Sequence, residues 1–543
     1  MPVLENLLGT LSLNAEGLAQ LKSHLESIDQ EQATKLAITA VPIALAAIPA
    51  YTAAKFAYNI AKAKSIESQL ISGPTPMPYD KDSWHPLWGV GQLFSEKSPT
   101  RALGYLHDKL GPVVVWRALH RVSLSIADPK LAQLVIGKLN LPKNDYESVK
   151  ELLGESVLTS NGAEWHRKRK AVNPAFKVSF LKEVLAPAVV DRTNVMFDVL
   201  FPKAPEGVPM NLMEAFSKIT LDVIGLAGFD YDFGFASSAT FDEGLSAMVL
   251  NVLEEPNLRS VNPLRKYYKV REAMQYSRDL ANFKALSRKV IREARARQAR
   301  NPDSVKPTSI IGLLLQQSDL TDEELLNEVN TFLFAGHETS ASTLSFMFIA
   351  LDAYPDAKAK LIAEIDEVLG GRDPTFEDLS KFKYLTAVMK ETLRFFPIGW
   401  ATARITTETT QLGDYSIPPN TPILVDYVAL HRNPAVWDRP LEFLPERFLN
   451  TSSSGDGPSD TLDEKATGST PYSYLPFSGG NRICAGKSFA EIEIKLLMAM
   501  MVQKYQWKVQ RPESWKDRPF HDLYKDGTTL RPLPHMVWIA PRH

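Results

Sequence analysis

Apolar residues recur with a helical period from about residue 160 to 400 and again from 486 to 503. Strand-like runs are few: V-V-V-W at 113–116, V-S-L-S-I at 122–126 and P-I-L-V-D-Y at 422–427. The pattern predicts a mainly α protein with minor β. One helix stands out for length. Thr321 and Glu324 form a capping box, and an apolar-periodic segment follows without proline from about 322 to 353, stopping before Pro355. At 1.5 Å per residue its roughly 30 residues extend about 45 Å, enough to cross a domain. Its middle reads F-L-F-A-G-H-E-T-S. Ala335 and Gly336 are too small to fill a core, Gly336 costs ~1 kcal/mol in a helix interior, and Glu338 is a charge between apolar flanks. Two readings are open: a local kink with a solvated glutamate, or a groove where a flat ligand lies against the helix, faced by a carboxyl and a hydroxyl.

Residues 36–54 carry no charge, close to the ~20 positions a helix needs to cross a bilayer, although the run is mostly alanine and holds Pro42 and Pro49. A helix lying on the membrane surface is the alternative. Lys55, Lys62 and Lys64 follow it, and the positive-inside rule then places the large C-terminal part on the cytoplasmic side. Pro74, Pro76 and Pro78 favour a stiff extended connection. The expected organisation is a pre-anchor segment 1–35, a membrane anchor helix 36–54, a basic and Pro-rich linker 55–78, and one large body 79–543. Within that body, 451–470 reads as an exposed loop of small and polar residues.

Over 543 residues, 44% hydrophobic and 23% charged positions exclude a disordered or fibrous chain, and a net charge of −2 gives no global argument for a nucleic-acid partner. The single cysteine, Cys484, excludes an intramolecular disulfide and any multi-thiolate zinc or iron–sulfur centre. It lies in P-F-S-G-G-N-R-I-C-A-G-K-S-F-A-E, 476–491, a glycine-rich loop leading into an amphipathic helix. There the helix dipole and backbone N–H groups favour a thiolate and suit it to bind a metal. Three other motifs fail. Five residues separate Gly480 from Gly486 where a phosphate-binding loop has four, and His337-Glu338 lacks the second histidine of a zinc protease because Ala341 stands there. The basic run H-R-K-R-K at 166–170 reads as a solvated or anion-binding helix face rather than a nucleic-acid site.

With these residues in hand, the chain resembles the cytochrome P-450 superfamily of haem-thiolate monooxygenases, in its eukaryotic membrane-anchored form, from about residue 73 to the C-terminus. Phe477-x-x-Gly480-x-Arg482-x-Cys484-x-Gly486 matches that family's ligand loop, Ala335-Gly336-x-Glu338-Thr339 its oxygen-binding groove, and Glu391-x-x-Arg394 with Arg447 its buried Glu-Arg-Arg set. The resemblance implies haem b with Cys484 as axial ligand and Phe477 near the sulfur. It also implies that Trp165, Arg169, Arg482 and Arg404 clamp the propionates, and that Thr339 and Glu338 deliver protons. Arg167, Lys168, Lys170 and Lys487 become candidates for docking an acidic redox partner. No flavin or nicotinamide fingerprint follows Cys484, so electrons from NADPH are expected through a separate NADPH-cytochrome reductase, with cytochrome b5 a further donor, at the endoplasmic reticulum membrane with the catalytic domain facing the cytoplasm. The alternatives are an isomerase or dehydratase needing no external electrons, and a haem-based carrier or sensor. Expected pocket linings are 141–158, 236–256, Phe332, Phe334, Ile398 to Ala401 and Thr528 to Leu530, which suit a lipophilic small molecule. The turn I-P-P-N-T departs from the family by placing Asn420 where glycine is usual, and asparagine still reaches positive φ.

Overall fold

The computed structural model describes residues 30–144, 147–199, 201, 209–237, 243–301, 305–449 and 471–542, the side chains of 30–49, 147, 243–247 and 250 excepted. The expected loop at 451–470 lies outside them. All three strand-like runs fall in one sheet. β1 (Val113–Ala118), β2 (Arg121–Ile126), β3 (Ala401–Ile405) and β4 (Pro422–Asp426) adjoin in the order β1-β2-β4-β3. β2 and β4 run parallel with Leu124 opposite Ile423, and β3 closes antiparallel with Ala403 opposite Leu424. The weak alternation near the C-terminus hid two further ladders: β5 (Tyr505–Gln510) with β8 (Met536–Pro541), and β6 (Tyr524–Asp526) with β7 (Leu530–Pro532).

The N-terminal region departs from expectation. The uncharged run belongs to a longer helix, α1 (Gln30–Ser72), which continues through the stretch read as linker. Ala63, Ile66 and Leu70 recur at helical spacing, are buried, and cluster with Val113, Val115, Val122 and Leu124 of the sheet. Only 73–78 of the expected linker is non-helical. Glu67 fastens the contact: Arg117 Nε donates to its carboxylate at 2.6 Å and Trp84 Nε1 at 3.1 Å, while Arg117 also donates to the carbonyls of Leu87 and Pro86. Among the described residues no helix is long and apolar enough to cross a membrane. The transmembrane reading is therefore not upheld. Side chains of 36–49 lie outside the described residues, and the remainder of α1 carries Lys55, Lys62, Lys64 and Glu67.

Nine further helices matter to the site: α2 (Pro99–Leu110), α3 (Gly162–Val172), α4 (Ala186–Val199), α5 (Leu212–Val223), α6 (Glu243–Val261), α7 (Val270–Arg300), α8 (Asp322–Ala353), α9 (Lys383–Phe395) and α10 (Lys487–Lys504). The long helix α8 begins at the capping box read from the sequence, with Thr321 and Glu324 bonded reciprocally. It packs against α5, α9, α10, β5 and β7, so nearly its whole circumference is buried. Many of its buried positions are polar and therefore need partners: Asn330 Nδ2 donates to Leu152 O at 3.1 Å, and Glu328 accepts from Val157 N at 2.9 Å, which pins the 152–157 turn over the helix. Gly154 in that turn has φ of 53°, and a Cβ there would meet the Asn327 side chain at 2.2 Å, so only glycine fits.

Removing one partner of a buried ion pair strands the other charge at a cost of roughly 3–5 kcal/mol. Deleting residues 1–49 should leave the melting temperature nearly unchanged. Deleting 1–72, or changing Glu67→Ala, should lower stability by about that amount, measured by denaturant unfolding. Equal stability of the two truncations would show that α1 is not part of the core.

Candidate active site

The cysteine loop is held from beneath. Glu391 and Arg394 share one face of α9 at i, i+3, fully buried. The guanidinium grips the carboxylate with two bonds of 2.8 Å, and Arg447 Nε adds a third at 3.1 Å. Arg394 also donates to the carbonyls of His431, Pro440 and Glu442. Burial pushes the His431 imidazole down to about 3, so its Nε2 is an acceptor, and it takes the N–H of Leu475 at 2.8 Å. Beyond Leu475 the chain turns tightly. Gly480 has φ of 61°, and a Cβ there would lie 2.5 Å from Ile136 O. Cys484 N then donates to Phe477 O at 2.9 Å, closing a loop that sets the sulfur three residues ahead of α10. The thiol is surrounded by protein atoms, yet the cysteine is exposed because it opens onto a cavity. Burial raises its pKa, opposed by the Gly486 N–H and the charges of Arg169 and Lys143. The helix-terminus effect expected from the sequence is present, but burial outweighs it.

Cations gather on one side of this cavity. Trp165 and Arg169, one turn apart on α3, both line it, and the Arg482 guanidinium stacks on the Trp165 ring at 4.2 Å while donating to Ser160 O and, at 2.8 Å, to Asn161 Oδ1. Lys143, which belongs to no motif, also lines it. Arg404, expected with them, is not among the lining residues: it is buried on β3, where its Nη1 donates to Thr402 Oγ1 at 2.8 Å, and its Nη2 has no hydrogen-bond partner among the described residues. An unsatisfied buried N–H of this kind asks for an anionic acceptor. The rest of the basic run is otherwise engaged. Arg167 pairs with Glu164, Glu324 and Asp319, and Lys168 is buried against Glu164 and the Glu155 carbonyl, leaving Lys170 exposed and Lys487 half-buried.

The middle of α8 lines the same cavity. Ala335, Gly336, Thr339, Ser340 and Thr343 line the cavity, so the groove is real. A Cβ on Gly336 would meet the Ile224 side chain at 2.9 Å, so the glycine serves helix packing as well as ligand access. Thr339 Oγ1 donates to Ala335 O at 2.8 Å. Glu338 is not among the lining residues. Its Oε1 accepts from Arg531 Nε at 2.5 Å and Thr529 Oγ1 at 2.6 Å. Burial pushes its carboxyl up, but the Arg531 charge and these bonds prevail and hold it below the ordinary value. Glu493 on α10 went unremarked in the sequence because nothing in its spacing differs from an amphipathic surface acid. It is fully buried, neither oxygen has a hydrogen-bond partner, and Ser340 is the polar side chain acting on it.

The cavity comprises about 1590 Å³ of space, part of it open to solvent. Val157, Leu158, Phe332, Phe334, Ile398, Gly399, Ala401 and Thr529 line it as expected, joined by Ile224, Ile310 and Phe176, which no motif marked. Among the described residues none from 236–256 does, and Trp400 turns away to bond Gly527 O at 2.9 Å.

A lone cysteine opening onto a cavity rimmed by arginines and lined by a helix groove with a hydroxyl defines a haem-thiolate oxidoreductase. Residues 79–537 match the model of the Cytochrome P-450 family, and the chain belongs to that family. It is 30% identical over 404 residues to Protein LUTEIN DEFICIENT 5, chloroplastic, of Arabidopsis thaliana, a match covering 71% of this chain and 65% of that relative. It is 29% identical to Carotene epsilon-monooxygenase, chloroplastic, of the same plant, covering 73% and 75%. To Cyclooctat-9-en-7-ol 5-monooxygenase of Streptomyces melanosporofaciens it is 31% identical, covering 78% and 83%. The cytochrome P-450 oxidoreductase and monooxygenase reading stands. The endoplasmic-reticulum placement does not: matched relatives carry chloroplastic names, and among the described residues no helix can cross a membrane.

The family's cofactor is haem iron, and the residues fit it. Cys484 is the soft ligand, and Arg169 and Arg482 on the cavity lining suit carboxylates.

Burial raises the Glu493 carboxyl from 4.5 to about 8. Between those values the folded state keeps a proton that the unfolded chain has released, so stability falls as pH rises through this window and levels off above it. Glu493→Gln removes this slope. Its melting temperature, relative to the parent, should climb from pH 5 to pH 8 and then stay constant; a pH-independent difference would contradict the buried acid.

Proposed function

We propose that this protein inserts one oxygen atom of O2 into a lipophilic small molecule, using electrons from NADPH delivered by a separate NADPH-cytochrome reductase, with cytochrome b5 a further candidate donor. The observation that carries the reading is that Cys484 and Thr339 line one cavity. Bound there, haem supplies O2 activation, and the Cys484 thiolate supplies electron density that favours O–O cleavage. Arg169 and Arg482, which line the cavity, would hold the carboxylates of the group by charge-assisted hydrogen bonds. Val157, Leu158, Ile224, Phe332, Phe334 and Ile398 form an apolar wall that holds a hydrocarbon-rich substrate and displaces water. The relatives named for carotene and for cyclooctat-9-en-7-ol accord with such a substrate.

Protons reach the cavity from the α8 groove. Thr339 Oγ1, its proton donated to Ala335 O, keeps its lone pairs free to accept a hydrogen bond from a water and so position that water as the proton carrier, without a histidine. An isomerase or carrier needs no such hydroxyl. The electron donor docks on the cysteine side, where Lys170 and Lys487 are the motif cations left to meet an acidic partner, Arg167 and Lys168 being bound internally.

Two substitutions test the assignment. Cys484→Ser should abolish the thiolate-type carbon monoxide spectrum of the haem-loaded protein while leaving it folded; a retained thiolate band would remove Cys484 as the ligand. Thr339→Ala should leave NADPH consumption largely intact but cut product per NADPH by about tenfold or more, with peroxide released instead. Unchanged coupling would remove the role given to Thr339, and turnover without reductase or peroxide would remove the monooxygenase reading.

A further inference from the structure

The acid of the α8 groove does not face the cavity, yet a neighbour of it does. Glu338 is buried, absent from the cavity lining, and held through one oxygen by two side chains of the C-terminal hairpin. Thr529 is a lining residue. Thr529 is therefore the lining residue that is hydrogen-bonded to Glu338, while Thr339 donates its own hydroxyl proton to the Ala335 carbonyl.

The hairpin is well fixed. Leu530 N donates to Ile398 O at 2.8 Å, Asn257 Nδ2 to Thr528 Oγ1 at 2.7 Å, and Lys525 pairs with Glu254 at 2.7 Å. The Arg531 Nη1 atom is buried without a hydrogen-bond partner and lies 3.9 Å from Glu254 on α6. Glu338 Oε2 is likewise buried and unpartnered. A carboxylate at this depth with one saturated and one open oxygen is costly unless the open oxygen has a use.

We infer that Thr529 is a relay residue for protons entering the cavity, and that Arg531 is the positioning residue that holds Glu338 ionised and aimed at it. The inference rests on the monooxygenase reading. In the relay, Glu338 takes a proton from water on Oε2, which weakens the bond that Thr529 donates to Oε1. The carboxyl then turns to bring its protonated oxygen to Thr529, whose hydroxyl proton moves into the cavity as Thr529 Oγ1 takes the carboxyl proton, and Glu338 returns to the carboxylate. One proton enters, one leaves, and no electron moves. The charged and titratable groups acting on Glu338 are Arg531 and His337. His337, wholly buried with Nδ1 bonded to Leu333 O, has its pKa lowered by burial and is neutral.

The test needs no substrate. Haem-loaded protein with NADPH and reductase divides O2 between peroxide, which takes two electrons and two protons, and water, which takes four of each. NADPH consumed per O2 runs from one to two accordingly, and only the water branch needs the further protons. Thr529→Val should bring the ratio to near one, the excess over one falling about tenfold or more, and Thr529→Ser should restore it. A ratio unaltered in Thr529→Val, or already at one in the parent, would overturn the relay. Infrared difference spectra of the same holoproteins give a second readout independent of turnover. Arg531→Gln should produce a protonated-carboxyl band at neutral pH that disappears in the Glu338→Gln double variant, and Arg531→Lys should suppress it. No such band would overturn the role of Arg531. Absence of any NADPH-dependent O2 uptake by the parent would instead count against the monooxygenase reading, and the infrared result would still decide the role of Arg531.

Discussion

The ion pair of Glu391 with Arg394 is the constraint on which the site depends. Two charges wholly out of water are tolerable only if every donor and acceptor is met, because an unpaired member would cost several kcal/mol. Arg394 has more N–H groups than Glu391 can accept, so the surplus reaches the carbonyls of His431, Pro440 and Glu442. Those carbonyls belong to the chain between the sheet and the cysteine loop. Satisfying one guanidinium thus fixes a long irregular segment, and His431 passes the constraint to Leu475 and the turn before Cys484. The position of the sulfur follows from a charge that has no alternative partner.

Around that anchor, four pieces distant in sequence meet at one cavity: α3 with its arginine and tryptophan, the middle of α8, the cysteine loop, and the C-terminal hairpin. The site tolerates groups a core would reject. Arg404 keeps an unpartnered nitrogen, Glu493 two unpartnered oxygens, and Glu338 one. Such costs are found where polar atoms await a ligand or move protons. Glu338 and Glu493, one ionised by Arg531 and one pushed towards neutrality by burial, sit on adjacent elements with opposite electrostatic surroundings. Their difference arises from neighbours, since both are glutamates within apolar helices.

What the sequence by itself determined is local. The α8 capping box, the three strand runs of the sheet, the left-handed Asn420 at φ 61° and the i, i+4 pairing of Trp165 with Arg169 depend on contacts within a few residues or on periodicity, and these follow directly from residue type. The cysteine loop was legible for the same reason: its glycines and its single thiol are informative without a partner. Tertiary structure alone decided the rest. Whether 55–72 was linker or core turned on a sheet face available to cover it, and whether Arg167 and Lys168 were docking cations turned on acids more than 150 residues away. Among the described residues of the expected lining at 236–256 none reaches the cavity, because an apolar helix face reads the same against a cavity as against a core. Glu338 was found from its motif but aimed wrongly, since its direction was set by Thr529 and Arg531 near the far end of the chain. Periodicity records that a side chain is buried; only the folded chain specifies which long-range charge or hydroxyl it meets there.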